Sequence, residues 1–135
     1  MKDIYRKTLT TIFSALVFAT STFLHAGSPV WSLTPLTTTT LSVPSNDTAT
    51  VQYQVTNQST KTHTLFMQSI QGITQLTTGL GICSNPFILA GKASCTLSLQ
   101  VNGSQLTQPI SDGPIVCEQG SLLQCYRPAS ANILH

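Results

Sequence analysis

The chain has 135 residues, four cysteines and a formal net charge of +2, and only 7% of its side chains are charged. Three of its six basic residues, Lys2, Arg6 and Lys7, lie at the start. Residues 27–135 then hold three basic and three acidic side chains, so no basic patch remains to neutralise phosphates. This excludes nucleic acid as an expected partner.

Residues 1–26 have the pattern of a secretory signal peptide. The basic start is followed by an apolar run over residues 11–24, and Ala26 is a small residue just before Gly27. The run is shorter than the roughly 20 apolar residues that span a bilayer, and polar residues interrupt it. We expect cleavage near Ala26 and a secreted or periplasmic protein formed by one domain, residues 27–135, with no membrane span.

The cysteines all follow residue 26, and an even number in an exported chain favours two disulfides. Three pairings are possible. Cys83–Cys95 and Cys117–Cys125 each close a short loop that carries its own turn signal, and we predict these two pairs. A zinc site is the alternative, but its close cysteine pairs are absent and no histidine lies near a cysteine. We therefore expect neither a metal nor a cofactor.

Short strand-like segments separated by turn residues begin at Val30. Residues 30–33 predict a first strand, and residues 49–55 alternate apolar with polar side chains, which is the strongest strand signal. The apolar run over residues 63–70 is ambiguous in phase, so either both faces are covered or a bulge shifts the register. A further short strand is predicted at residues 73–76.

Residues 83–106 have the pattern of a disulfide-stapled hairpin unit. Residues 95–101 alternate as a half-buried strand, and Asn102-Gly103 suits the central positions of a type I′ turn. That turn would return the chain as a strand over residues 104–110. On the other side, residues 87–89 lead into a glycine turn that would bring the chain back beside Cys83.

The end of the chain predicts a second small hairpin. Residues 115–117 and 122–126 form its arms around Gln119-Gly120, with the second disulfide closing it. No helical periodicity of useful length follows residue 26. Short strands with polar turns between them predict an all-β protein: an antiparallel β-sandwich of immunoglobulin-like type with a small disulfide-closed C-terminal hairpin.

Two segments carry a family resemblance. SNDTATVQYQVTNQST at residues 45–60, followed by CSNPFILAGKASCTLSLQV at residues 83–101, resembles the Hydin-type bacterial immunoglobulin-like domain. The shared turn is formed here by Leu89, Gly91, Ser94 and Cys95. The resemblance implies a fold far more than a function. The ending, residues 113–135, is similar to that of short exported proteins of unknown role from Gram-negative intracellular bacteria.

The last four residues, 132–135, begin an apolar alternation and then stop. A sandwich that ends so would leave a sheet edge open, and an edge-strand dimer or a strand from a partner would cover it. Pro109 and Pro114 blunt that edge in the alternative interpretation. The same ending suggests, as an alternative function, an accessory domain truncated from a longer secreted enzyme or surface protein.

Catalytic motifs are absent from the sequence. His63 opens a predicted strand and His135 ends the chain, and neither belongs to a known hydrolase or metalloprotease motif. Asp47, Asp112 and Glu118 lie in turns or in the small disulfide loop. We expect no catalytic residues and no enzymatic activity.

Binding is the function that the sequence favours. Trp31 and Tyr53 lie in predicted strands, where core positions are expected. Tyr126 and Arg127 follow the second disulfide in a loop, where a rigid aromatic ring and a guanidinium would be presented together. In the alternative interpretation Tyr126 covers that disulfide. The sequence thus predicts an exported, non-catalytic binding or structural module whose partner is an unidentified protein or glycan.

Overall fold

The structure, a computed structural model, describes residues 27–135, so the predicted signal peptide lies outside the described residues. The described chain is built from β-strands and two short 3-10 turns, which confirms the all-β prediction. No helix in this part is long and apolar enough to cross a membrane. The strands are β1 (Trp31–Pro35), β2 (Thr48–Asn57), β3 (His63–Met67), β4 (Ile73–Leu76), β5 (Phe87–Leu89), β6 (Ser94–Asn102), β7 (Val116–Glu118) and β8 (Ser121–Tyr126).

The strands form two four-stranded antiparallel sheets that share one hydrophobic core. One sheet has the order β1-β2-β6-β4 and the other has the order β5-β3-β7-β8. The longest pairing joins β2 to β6, from Thr48 opposite Asn102 to Thr56 opposite Ser94. Val51, Tyr53 and Val55 are fully buried, as the alternation along β2 predicts.

Trp31 and Tyr53 lie in this core, as expected from their strand positions. The Trp31 indole Nε1 donates a hydrogen bond to the Val116 carbonyl at 3.2 Å and so links the two sheets. The Tyr53 hydroxyl donates to the Asn132 carbonyl at 2.9 Å. Burial of Tyr53 removes water from its hydroxyl, which raises its pKa to about 12.

Both predicted disulfides are present. Cys83–Cys95 joins the connection between β4 and β5 to β6, and the Cys83 N–H also donates to the Thr96 carbonyl at 2.8 Å. Cys117–Cys125 joins directly opposite residues of β7 and β8. The small disulfide-closed hairpin at the end of the chain is therefore confirmed.

The predicted stapled hairpin over residues 83–106 is wrong. β5 and β6 belong to different sheets, and β6 is already flanked by β2 and β4, so no place is left for a returning strand. The strand predicted over residues 104–110 is absent, and a 3-10 turn (Gly103–Gln105) follows Asn102 instead of a type I′ turn. A Cβ at Gly103 would clash with the Pro44 carbonyl, so this glycine permits close approach of two backbones rather than a positive φ.

The predicted open edge at the end of the chain is also wrong. Leu134 is buried, and its N–H donates to the Gly113 carbonyl at 3.2 Å. The His135 N–H donates to Thr39 at 2.9 Å, and the Leu41 N–H donates to His135 at 2.9 Å. The last residues therefore pair with the segment before β2 instead of leaving a row of free backbone groups.

Candidate functional site

An open groove of about 420 Å³ lies at the end of the molecule where β3 and β6 terminate. Its walls are the connection after β3, residues 68–71, and part of the long connection between β6 and β7, residues 106–113 and 115; we refer to it as the loop groove. Its volume falls in the range of about 300 to 1,000 Å³ typical of ligand sites. The loop groove is thus large enough to hold part of a binding partner.

The lining of the loop groove combines apolar and uncharged polar side chains. Ile70, Leu106 and Ile110 are half-buried and pack against the core. No aromatic side chain of the described chain lines the groove. The uncharged polar lining residues are Gln68, Ser69, Gln71, Thr107, Gln108 and Ser111.

Arg127, one of the two predicted binding residues, is paired with a residue of the loop groove. Its Nη1 donates to Asp112 Oδ1 at 2.6 Å, and both side chains are more than half exposed. An exposed pair of this kind contributes about 1 kcal/mol or less. Asp112 is the one charged residue of the described lining, so the ion pair leaves the groove electrically neutral.

The side chains of Tyr126 and Arg127 make contacts in different places. The Tyr126 ring meets Trp31 edge to face, with the ring centroids 4.9 Å apart, and Tyr126 lies opposite Val116 in the β7–β8 pairing. The ring is half-buried against the core. Of the two residues that the sequence predicts to be presented together, only Arg127 contacts the loop groove.

The backbone along one wall of the loop groove is unpaired. The Leu106 N–H donates to Gly103 at 3.3 Å, and the Gly113 carbonyl accepts from Leu134 at 3.2 Å. Between them, the backbone of residues 107–112 makes no hydrogen bond within the described chain. Ile110 is half-buried and the other residues of this segment are exposed, so these donors and acceptors remain for solvent or for another molecule.

Three side chains at the opposite end of β3 form a Ser-His-Glu constellation. Ser59 Oγ lies 3.0 Å from His63 Nε2, and His63 Nδ1 lies 2.8 Å from Glu118 Oε1. These are the contacts of a serine hydrolase triad. The sequence gives no sign of it, because Glu118 reaches His63 only through the β3–β7 pairing.

The hydroxyl of Ser59 makes further hydrogen bonds within the β2–β3 loop. It lies 2.9 Å from Asn57 Oδ1, and it accepts a bond from the Lys61 N–H at 3.2 Å. The loop groove lies beyond the other end of β3, away from this hydroxyl. These bonds hold the β2–β3 loop against β7. Among the described residues, no group of His, Cys, Asp and Glu is placed to hold a metal ion.

A second exposed feature is the edge strand β8. Between the pairs Cys117–Cys125 and Glu118–Ser121 the register shifts, so the intervening residues of β8 bulge outward. Leu122 is 75% exposed and Leu123 is 100% exposed. β8 is also the last strand of its sheet, so it presents apolar side chains and an unpaired edge together.

The chain matches no protein-family model, no curated protein and no solved structure.

Proposed function

We propose that residues 27–135 form an exported, non-catalytic binding module whose partner docks in the loop groove. The observation that carries this proposal is the groove itself: about 420 Å³, with mixed apolar and amide lining and an unpaired backbone wall. Concave sites with an apolar surface and a few convergent polar groups are the usual places for a ligand. Its partner is a protein or a glycan.

The proposal of export rests on the disulfides and on the sequence of residues 1–26. Disulfides form and persist outside the reducing cytosol, and two are present here. Cleavage after Ala26 is part of the proposal. Mass spectrometry of the protein recovered from the periplasm or medium should give a chain that begins at Gly27, and an intact residue 1–26 segment would contradict it.

We also propose that the sandwich is immunoglobulin-like and of the Hydin type. The sheet orders β1-β2-β6-β4 and β5-β3-β7-β8 correspond to strands A-B-E-D and C′-C-F-G of that fold. Two features depart from it: the chain enters β4 before β5, and the buried Trp31 lies on the first strand. An experimental structure whose sheets had another strand order would reject this assignment.

Filling the groove tests the proposed function. Ser111→Trp places a large side chain at an exposed lining position, whereas Thr74→Trp places the same side chain on the exposed face of β4, away from the groove. Affinity capture from an envelope or host-cell fraction should lose its specific partner with Ser111→Trp and keep it with Thr74→Trp. Equal capture by the two variants would reject the groove as the binding site.

Self-association through β8 is a second candidate, favoured by Leu122 and Leu123 on an unpaired edge. Light scattering at high micromolar concentration should then show a dimer, and Leu123→Glu should convert it to a monomer because like charges would face each other across the edge. A monomer at that concentration in the unmodified protein would reject this second candidate.

A further inference from the structure

We propose that the protein assembles head to tail, with Leu80 of one copy bound in an apolar pocket at the opposite end of the next copy. The partner is thus a second copy of this chain. The inference goes beyond the proposed function of the loop groove, because Leu80 and this pocket have no part in that function.

Leu80 is a fully exposed apolar side chain on a loop that internal hydrogen bonds hold in place. The Ile82 N–H donates to the Gly79 carbonyl at 3.3 Å, which closes a β-turn with Leu80 at its second position. Gly81 has a φ of +74°, as the third position of a type II turn requires. The Thr96 N–H then donates to the Gly81 carbonyl at 2.8 Å. A fixed loop therefore presents Leu80 to solvent.

The apolar pocket, about 110 Å³ in volume, lies where β6 ends, and we refer to it as the end pocket. The residues of its lining that come from the β6–β7 connection also line the loop groove. His135 is the only polar residue of the described lining, and transfer of an apolar side chain from water into such a pocket is favourable. The walls are Leu41 and Val43 before β2, Val101 in β6, Leu106, Pro109 and Ile110 after β6, and residues 134 and 135.

The end pocket has the size of a leucine side chain. An apolar cavity of about 150 Å³ holds the six carbon atoms of benzene, so a pocket of about 110 Å³ has room for the four side-chain carbons of a leucine. Leu80 stands between two glycines, and no neighbouring side chain obstructs its entry. Leu122 and Leu123, the other strongly exposed leucines, are adjacent to each other, so they do not match a pocket for one side chain.

Leu80 and the end pocket lie towards opposite ends of β6. The Leu80 loop is hydrogen-bonded to Thr96, near the start of this strand, whereas Val101, near its end, lines the pocket. Five residues of a strand span roughly 16 Å. Leu80 therefore cannot fill the pocket of its own copy, and a copy that donates its leucine keeps its own pocket open. Repetition of such a head-to-tail contact gives an open series of copies or a ring.

The exposed charges favour the same orientation. Lys61 and Lys92 lie at the Leu80 end, in the β2–β3 and β5–β6 connections, and neither has an acidic partner in the described part of the chain. Asp47 lies at the other end, four residues after Val43 of the end pocket, and has no basic partner among the described residues. A head-to-tail contact brings these opposite charges together, whereas a contact between two Leu80 ends would bring lysines together.

Mixing two variants of the disulfide-bonded protein, purified from the periplasm, tests the inference. Leu80→Asp removes the donated side chain and leaves the end pocket intact, whereas Val43→Trp fills the pocket and leaves Leu80 intact. Light scattering of the unmodified protein at high micromolar concentration should give a mean mass that rises with concentration beyond that of a dimer. Each variant alone should be a monomer, and their equal mixture should form a dimer that grows no further.

A measurement on the unmodified protein guards against misfolding of a variant. In an assembled sample of two differently isotope-labelled batches, the methyl groups of Leu80 and Val43 should show an intermolecular nuclear Overhauser effect. Its absence would overturn the inference. An unmodified protein that stays monomeric, or that stops at the dimer, would overturn it as well.

Leu123→Asp is the matched control, since this leucine is as exposed as Leu80 but lies on β8. This variant should assemble like the unmodified protein. Assembly that is lost with Leu123→Asp and kept with Leu80→Asp would reject the head-to-tail contact and leave β8 as the interface between copies. Neither result bears on the capture of a partner by the loop groove, which Ser111→Trp tests separately.

Discussion

The side-chain amide of Asn57 donates a hydrogen bond to the carbonyl oxygen of Leu89 at 3.1 Å, which joins the end of β2 in one sheet to the end of β5 in the other. The same Nδ2 lies 2.7 Å from the Lys61 carbonyl and 3.1 Å from that of Ala90. Asn57 is fully buried. A single amide thus holds together the loops at one end of the sandwich.

Replacing this amide should strongly destabilise the fold. Asn57→Asp would aim a buried carboxylate at three carbonyl oxygens, so we expect a loss of about 2 to 4 kcal/mol in the free energy of unfolding. The exposed Asn46→Asp is the matched control and should change it by less than about 0.5 kcal/mol. Urea unfolding followed by the fluorescence of Trp31 measures both, and equal stability of the two variants would contradict the role of Asn57.

The two disulfides should contribute unequally. Each closes a loop of similar length, with sequence separations of 12 and 8, so loop-closure entropy alone gives about 3 kcal/mol for either. Cys117 and Cys125, however, join strands that are already paired, whereas Cys83 anchors the β4–β5 connection in the core.

Replacing Cys83 and Cys95 together by alanine should therefore cost more stability than replacing Cys117 and Cys125 together. Denaturant unfolding of the two double variants gives the order directly. The reverse order would show that the C-terminal hairpin depends on its disulfide more than the β4–β5 connection does.

Alkaline pH should destabilise the protein through Tyr53. Its pKa is about 12 in the folded protein, above the ordinary value of 10, because burial disfavours the phenolate. The stability that Tyr53 contributes is complete below pH 10 and falls as the pH rises from 10 through 12.

The free energy of unfolding measured between pH 9 and 12 should therefore decrease more steeply in the unmodified protein than in Tyr53→Phe. Parallel pH profiles for the two proteins would contradict this assignment.

The Ser-His-Glu constellation should stabilise the loop and show no hydrolytic activity. Ser59→Ala removes the hydroxyl that contacts Asn57 and His63, and we expect a loss of about 1 to 2 kcal/mol. A fluorophosphonate probe should leave Ser59 unlabelled, since the hydroxyl is engaged in the loop. Labelling of Ser59 that His63→Ala abolishes would instead make the constellation catalytic.

Local pattern predicted the parts of this fold that depend on neighbouring residues. The alternation along β2 correctly placed Val51, Tyr53 and Val55 inside, and the loop sizes correctly paired the cysteines. Both signals lie within about a dozen residues of sequence. The C-terminal hairpin was predictable for the same reason, since its turn and its disulfide are local.

Sheet membership could not be predicted in this way. The sequence of β5 and β6 shows two strands and a glycine turn, but it does not show that the turn crosses between sheets. Glycine adds a second ambiguity, because it occurs both where φ is positive and where two backbone segments come close together. Gly103 is of the second kind, since it lies against the backbone of Pro44. The false hairpin turn led directly to the false strand over residues 104–110.

The candidate site was predicted only at its rim. Arg127 follows a disulfide, a position from which the sequence predicts an exposed binding residue. Its partner Asp112 and the two walls of the groove come together only through long-range packing. The contact between His63 and Glu118 depends on the β3–β7 register in the same way. Such sites combine residues far apart in the chain, and a single sequence carries no signal of their proximity.

Hydrogen exchange of the free protein tests the central claim, that the backbone along one wall of the loop groove is unpaired. We expect fast exchange at the amides of Thr107, Gln108, Ile110, Ser111 and Asp112, and slow exchange at those of Leu97, Leu99 and Val101 in β6. Protection of the residue 107–112 amides in the free monomer, comparable to that of β6, would contradict it.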